Sequence, residues 1–165
     1  MEHLEQLEQV EVRAILSQAR LAGERPNFIR NYWSGVYMAD FDEDYTLSNF
    51  DEATLERTDF SNTDLSSATF KKAKASYLFA ADATMISTGF KESNLTCAAF
   101  KDTILIGADF TDANLTRATF KDTNLTGADF TGATLKDTKF IRVTIHGETY
   151  SGTHLTVPIK GVNPV

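Results

Sequence analysis

A large apolar side chain recurs at every fifth residue through most of the chain. Nine of the twelve phenylalanines occupy positions divisible by ten, and most positions midway between them hold Leu, Met, Ile or Tyr. Every position divisible by five from Tyr45 to Leu155 is apolar or tyrosine, and only Ala75 and Ala80 are small. A period of five fits neither the 3.6-residue period of a helix nor the two-residue period of a strand. Self-similarity at a fixed period indicates a solenoid instead.

A second, smaller residue accompanies each of these centres. Two positions before a centre the chain carries Ala, Ser or Thr at all but three of 22 sites from Ser48 to Thr153, the exceptions being Leu78, Val143 and Glu148. We interpret the centre and this small position as pointing inward and the other three residues of each unit as pointing outward. Four units, or 20 residues, would close one square turn, and successive turns would pair at the strand spacing of about 4.8 Å.

These units resemble the pentapeptide-repeat family. ADFTD (108–112), ANLTR (113–117) and ATFKD (118–122) follow its pattern of a small residue, Asp or Asn, Leu or Phe, and two polar residues. The resemblance implies an all-β solenoid, the family's right-handed quadrilateral β-helix, with about six coils. With its N-terminal α-helical cap, the chain is similar to small bacterial, especially cyanobacterial, members.

The sequence predicts three segments: an N-terminal helical cap over 1–33, the β-helix over 34–157 and a C-terminal tail over 158–165. Gly23 is a natural end for the cap helix. The helix face expected to pack comprises Leu4, Leu7, Val10, Ala14 and Leu21. The residues expected to join this helix to the first turn are Phe28, Ile29, Tyr32 and Trp33.

The repeat is irregular at three places. Val36 and Phe41 would be centres one residue out of phase, so an irregular corner is expected near Asp44 and Tyr45. Beside Ala80, we expect Leu78 to fill the core and Phe79 to point outward; a local bulge with Phe79 inside is the alternative.

The third irregularity lies near the end of the repeat. Glu148 occupies a position that should face inward, so we expect the last turn to be open or frayed there. The tail is expected to fold over this end, with an end-to-end dimer as the alternative.

No catalytic, cofactor or metal site is predicted. His3, His146 and His154 are dispersed, and the lone Cys97 is expected to be a free surface thiol. The nine glycines follow turns, and none forms a phosphate-binding loop. The Asp and Asn residues before the centres would bond backbone groups at the corners.

Composition limits the compartment and the class of partner. With 16 Lys+Arg against 23 Asp+Glu, the formal charge is −7, and direct nucleic-acid binding is not expected. No stretch is long and apolar enough for a membrane span. Glu2, Glu5, Glu8 and Glu11 stand where a secretory signal would be basic and then apolar, so we expect a cytoplasmic protein.

Function must then depend on the outer surface. The family includes proteins that modulate DNA gyrase as negatively charged DNA mimics, and this is the alternative function. Residues 48–165, however, carry 14 Asp+Glu and 12 Lys+Arg, a net charge of only −2, and the sequence predicts no C-terminal dimerisation helix. An ice-binding wall is disfavoured because charged residues interrupt the threonine ranks. The preferred hypothesis is a non-catalytic, monomeric interaction or scaffold protein with an unknown protein partner.

One predicted wall is suited to such a contact. Its outward positions hold no acidic or basic residue between Asp64 and His146, and they include Ile86, Ile104 and Ile106. Phe79 on the preceding wall could extend this apolar patch around the corner. Clustered exposed apolar residues mark interaction sites, although scattered ones are also normal on a surface, so simple tolerance of these isoleucines is the alternative.

Overall fold

A computed structural model describes residues 2–29, 31–38, 44–152 and 160–161, with side chains from Val10 onward. It shows helix α1 (Glu2–Ala22) followed by stacked five-residue units that form a right-handed quadrilateral β-helix, which confirms the predicted fold. The strands, which form one sheet in chain order, are β1 (Phe79–Ala81), β2 (Ala99–Lys101), β3 (Thr119–Lys121), β4 (Lys139–Ile145) and β5 (Glu148–Gly152). Strands β1 to β4 pair in parallel along one wall, whereas isolated one-residue bridges join the coils on the other walls.

Backbone hydrogen bonds fix each coil to the next in a constant register. Asp44 pairs with Asp64, and the same separation along the chain continues to the pair Asn124–Thr144. The N–H of Phe90 donates to the carbonyl of Asp109 at 2.6 Å, and the N–H of Asp109 donates to the carbonyl of Thr88 at 3.0 Å. The coils therefore satisfy one another's peptide groups without long strands.

The core is a set of stacked side chains along the axis. Phe50, Phe70, Phe90, Phe110 and Phe130 form one column, with ring centroids 4.8–5.0 Å apart and interplanar angles of 4–15°. Phe28 extends this column at 4.5 Å from Phe50. Phenylalanines of the opposite wall meet it edge to face at 5.4–6.1 Å. Offset and edge-to-face contacts are the favoured geometries of aromatic pairs, so every ring also aligns the coils.

Threonines at the small inward position bond to the neighbouring coil. The hydroxyls of Thr58, Thr88 and Thr138 donate to the carbonyls of Trp33, Leu65 and Leu115 at 2.7–2.8 Å. A buried hydroxyl with a partner carries little penalty. This explains why Ser and Thr can stand in place of Ala inside the coil.

The last residue of every unit adopts a left-handed backbone. From Leu47 to Arg142, each fifth residue has φ between 49° and 73°, and glycine occupies only three of these turn positions, Gly107, Gly127 and Gly132. Non-glycine residues in this region carry a strain of roughly 1–2 kcal/mol each. The hydrophobic period does not reveal this feature, because the turn residue points outward and is chemically varied.

The irregular unit around Ala80 is packed as expected. Leu78 and Ala80 are fully buried, whereas Phe79 is 41% exposed and Tyr77 is also exposed. Leu78 thus supplies the volume that Ala80 leaves open. The alternative, a bulge with Phe79 inside, is wrong.

The packed face of α1 differs from the predicted one. Val12, Leu16 and Ala19 are buried at the helical spacing of four and then three residues. Val10 and Leu21 are instead 66% and 90% exposed, and Ala14 is exposed as well. The predicted face of Leu4, Leu7, Val10, Ala14 and Leu21 is therefore wrong at its last three members, and the side chains of Leu4 and Leu7 lie outside the described part.

The first coil begins earlier than residue 34. Parallel bridges already join it to the second coil at Asn27 and Tyr32. Its described inward centres are all buried, and they are Phe28, Trp33 and Met38. Ile29 and Tyr32, which were also expected to pack, are exposed.

The first coil is also longer than the later ones. Tyr37 pairs with Asp59, whereas Asp44 pairs with Asp64, so the coil shortens by two residues between these two bridges. Val36 is therefore not a centre but a small position, two residues before Met38. Phe41, the other centre expected here, lies outside the described residues.

The regular coil ends in a hairpin. Strand β5 turns back and pairs antiparallel with β4, so that Ile145 faces Glu148 across His146 and Gly147. Both turn residues have positive φ, 51° and 87°, as a two-residue type I′ turn requires. Glu148 is consequently exposed, and the expectation that it faces inward is wrong because the regular register stops before it.

The left-handed turn positions allow a matched pair of substitutions at adjacent serines. Ser67 has φ 59°, whereas its neighbour Ser66 has a negative φ. Ser67→Gly should raise the free energy of unfolding by about 0.5–1 kcal/mol, since relief of strain exceeds the entropy that glycine loses. Ser66→Gly should lower it by about the same amount. Equal effects of the two substitutions in chemical denaturation would contradict the role assigned to the left-handed turn.

Candidate protein-binding surface

One wall of the β-helix presents an uncharged outer surface. We call this wall, built on the centres Leu65, Met85, Leu105 and Leu125, the uncharged face. Its outward residues from Ser66 to Thr144 are only Ser, Thr, Ile, Gly and Asn. The inward centres are fully buried and hold the outward residues in register. The surface is therefore rigidly positioned by the core.

Three isoleucines, Ile86, Ile104 and Ile106, lie in adjacent coils of this face and form what we call the Ile cluster. They are exposed by 39%, 39% and 37%. Ile86 and Ile106 directly follow the centres Met85 and Leu105, one coil apart. Ile104 precedes Leu105 and pairs with Thr84 below and Asn124 above. Sequence reasoning correctly placed all three side chains outward on one wall.

Phe79 stands apart from the Ile cluster. Phe79 lies in β1 on the neighbouring wall. Between Phe79 and Thr84, where the uncharged face begins in this coil, the chain carries the acidic residue Asp82 at the corner. One coil above, Lys101 pairs with Ala81 in the ladder and makes a 3.2 Å ion pair with Asp102. Charged groups thus separate Phe79 from the isoleucines. In the ladder Phe79 pairs with Ala99, and Tyr77, two residues earlier in the chain, has its ring centroid 5.8 Å from the guanidinium carbon of Arg57.

The sequence did not predict a groove between α1 and the first coil. This groove has a volume of about 420 Å³ and is lined by residues that include Glu11, Ile15, Tyr32 and Trp33. The indole Nε1 of Trp33 is buried and has no hydrogen-bond partner among the described residues. Tyr32 was expected to pack between the helix and the first turn, but it is exposed and lines the groove. The five-residue repeat therefore did not predict this groove.

The other walls carry both signs of charge. Arg142 contacts Asp122 through two hydrogen bonds of 2.5 and 2.6 Å, and these bonds lower the pKa of the Asp122 carboxyl. Lys72 lies 3.6 Å from Glu92 on another wall, and Arg117 lies 4.0 Å from Asp137 on a third. Exposed pairs of this kind contribute little stability. They also interrupt any continuous band of negative charge.

The corner carboxylates and amides serve the backbone, as predicted. Asp64 and Asn94 each accept a hydrogen bond from the N–H two residues later, at 2.9 and 3.2 Å. Asp109 and Asn114 do the same for Thr111 and Thr116 at 2.8 and 3.1 Å. These side chains are therefore occupied in turns, which is the physical reason for Asp or Asn at this position.

The described residues hold no group of three or more His, Cys, Asp or Glu that could bind a metal ion. His146 is exposed in the hairpin turn, whereas His154 lies outside the described part. Cys97 is a free, half-buried thiol at a left-handed turn position. Among the residues that the structure describes, no helix is long and apolar enough to cross a membrane.

Comparison with known proteins agrees with this architecture. The sequence model of the family described as Pentapeptide repeats matches in 8 copies, over residues 48–78, 93–132 and 108–147. No curated protein sequence matches the chain significantly.

Several solved structures are similar. The pentapeptide repeat protein Rfr23 from the cyanobacterium Cyanothece 51142 is 22% identical, with a TM-score of 0.54 over 81% of this chain and 94% of that one. A pentapeptide repeat protein from the Arabidopsis thaliana thylakoid lumen is 26% identical, with a TM-score of 0.39, over 70% of this chain and 66% of its own. A trypsin-treated form of QnrB1, a plasmid-mediated fluoroquinolone resistance protein, is 20% identical, with a TM-score of 0.42 over 73% and 68%.

The outward placement of the Ile cluster is testable by stability. The double substitution Ile104→Lys, Ile106→Lys should shift the thermal midpoint by only a few degrees, because both side chains can extend into water. Leu105→Ala, which truncates the buried residue between them, should instead cost about 2–5 kcal/mol. If the double variant unfolds like Leu105→Ala, the assignment of this wall is wrong.

Proposed function

Because the chain belongs to the pentapeptide-repeat family, we propose that it is a non-catalytic, cytoplasmic scaffold that binds a protein partner through the uncharged face. The Ile cluster carries this proposal. Three exposed isoleucines lie within two adjacent coils, on the wall that lacks charge over its middle turns. Depletion of charge and enrichment of apolar side chains distinguish the core of protein interfaces from ordinary surface.

The form of the wall also favours a protein ligand. Successive coils are separated by about 4.8 Å, so the isoleucines present a nearly flat and regular surface. Above the Ile cluster, Asn124, Thr126 and Gly127 supply small polar groups. An apolar centre with a polar border is the usual anatomy of an interface. A flat surface of this kind does not enclose a small substrate, which agrees with a binding rather than a catalytic role.

The proposal is tested by capturing partners from a lysate of the producing organism with wild type and two variants. Ile104→Lys, Ile106→Lys should reduce recovery of the specific partner at least tenfold, because two charges enter the centre of the contact. Asn114→Lys, Thr116→Lys is the matched control. Asn114 and Thr116 flank Leu115 on another wall in the same way that Ile104 and Ile106 flank Leu105. Lysine already occurs at the equivalent positions of other coils, as Lys74 and Lys136.

The control should retain the partner at the wild-type level. Recovery that is equal with all three proteins would exclude the Ile cluster as the binding site. Equal loss in both variants would indicate a general effect of added positive charge, which is not what the proposal predicts.

The alternative function, mimicry of DNA toward a type II topoisomerase, is tested separately. A phosphate-like surface needs a continuous run of negative charge. Basic side chains of this chain lie beside acidic ones, as in the ion pairs Lys101–Asp102 and Arg142–Asp122, so the negative charge is locally neutralised. Supercoiling by DNA gyrase should therefore be unchanged at a large molar excess of the protein. Inhibition or protection of the enzyme would favour the alternative over the scaffold.

A further inference from the structure

Lys160 covers the C-terminal edge of the last full coil. Its carbonyl accepts a hydrogen bond of 2.7 Å from the N–H of Phe130, and it forms a parallel bridge with Asp129. One coil earlier, the N–H of Phe110 donates to the carbonyl of Asp129. In the same register Phe130 would meet Thr149, but the hairpin has paired Thr149 with Thr144. Lys160 thus replaces the residue that a regular coil would have supplied.

The side chain of Lys160 strengthens this contact. Its ammonium group pairs with the Oδ2 atom of Asp129, while the Oδ1 atom of Asp129 accepts the N–H of Thr131 at 2.9 Å. The bond from Lys160, followed by the bond from the Thr131 hydroxyl, lowers the pKa of Asp129 to about 2. The Asp129 carboxylate is therefore ionised at physiological pH and can pair with the Lys160 ammonium group.

Gly161 fits against the same edge so closely that any side chain at this position would force the backbone apart. Its φ is +84°, and a Cβ atom added there would overlap the carbonyl carbon of Phe130 and the backbone nitrogen of Thr131. Gly147 has a similar φ, +87°, but no atom lies within 4 Å of a Cβ added there. Substitution of either glycine would strain the backbone, but only substitution of Gly161 would also cause a steric clash.

The wall that follows Phe130 and Thr131 in the last coil carries apolar side chains that are less protected than those one coil earlier. Ala133 and Leu135 in the last coil are only partly buried, whereas Ala113 and Leu115, one coil earlier, are fully buried. An uncovered strand edge with apolar side chains is a template for pairing with another chain. Every copy of this protein carries the same edge, so two copies could meet there about a two-fold axis.

We propose that Lys160 and Gly161 form a latch that keeps the C-terminal edge of the β-helix from pairing with the same edge of a second copy of this chain. The latch joins a backbone hydrogen bond, an ion pair and a close glycine contact at one site. It acts at the end of the solenoid and does not depend on the uncharged face.

The test uses Gly161→Ala, with Gly147→Ala as the matched control for glycine strain. Amide hydrogen exchange reports the latch directly, because the N–H of Phe130 is the group that Lys160 covers. In Gly161→Ala, exchange at Phe130 should become roughly tenfold faster or more, while Phe110 stays protected. In Gly147→Ala, both amides should exchange as in the wild type.

Sedimentation velocity at micromolar concentration then measures whether opening the latch leads to self-association. Wild type and Gly147→Ala should sediment as monomers, and Gly161→Ala should shift toward a dimer. Lys160→Ala, which removes only the ion pair, should give a smaller shift in the same direction.

Two results would overturn the proposal. Fast exchange of the Phe130 amide in the wild type would show that the latch is not closed in solution. A Gly161→Ala protein with an exposed Phe130 amide that remains monomeric would show that the latch does not guard against self-association.

Discussion

The structure depends on one constraint, the constant register in which each coil hydrogen-bonds to the next. This register places Phe90 over Phe70 and under Phe110, so rings that are distant in sequence stack at about 5.0 Å. It equally stacks the outward residues, so a wall has a constant chemical character only where the sequence repeats it. The uncharged face is such a wall. The chemical character of this surface follows from the register between coils, which brings together residues that are distant in sequence.

Much of this could be predicted from the sequence because the centres and small positions carry their own signal. A side chain that must fill the axis is large and apolar, and its partner two residues earlier must be small. The same rule predicts that Leu78, rather than Phe79, compensates for Ala80, and predicts that Ile104 and Ile106 point outward around Leu105. Outward position follows from the repeat alone, so the Ile cluster could be identified before the fold was known.

The errors fall where the repeat stops being the dominant constraint. At the N-terminus, Val36 looked like a centre because the small residue Ser34 stands two positions before it, but the longer first coil makes Met38 the centre. At the C-terminus, Tyr150 keeps the five-residue period although its strand has reversed. The signals of that reversal were Gly147 after His146 and a charged Glu148 at a small position. The tail was expected to fold over this end, but the specific pairing of Lys160 with Asp129 could not be inferred, because the regular register would bring Thr149 there instead.

The central functional claim is that a partner docks on the uncharged face, and methyl NMR of isoleucine-labelled protein tests it most directly. The labelled side chains include the Ile cluster and, at the N-terminal end, Ile15 and Ile29. Titration with the captured partner should shift or broaden the methyl signals of Ile86, Ile104 and Ile106 and leave Ile15 and Ile29 unchanged. Perturbations confined to Ile15 and Ile29, with the Ile cluster unaffected, would contradict the account and move the binding site to the groove beside α1.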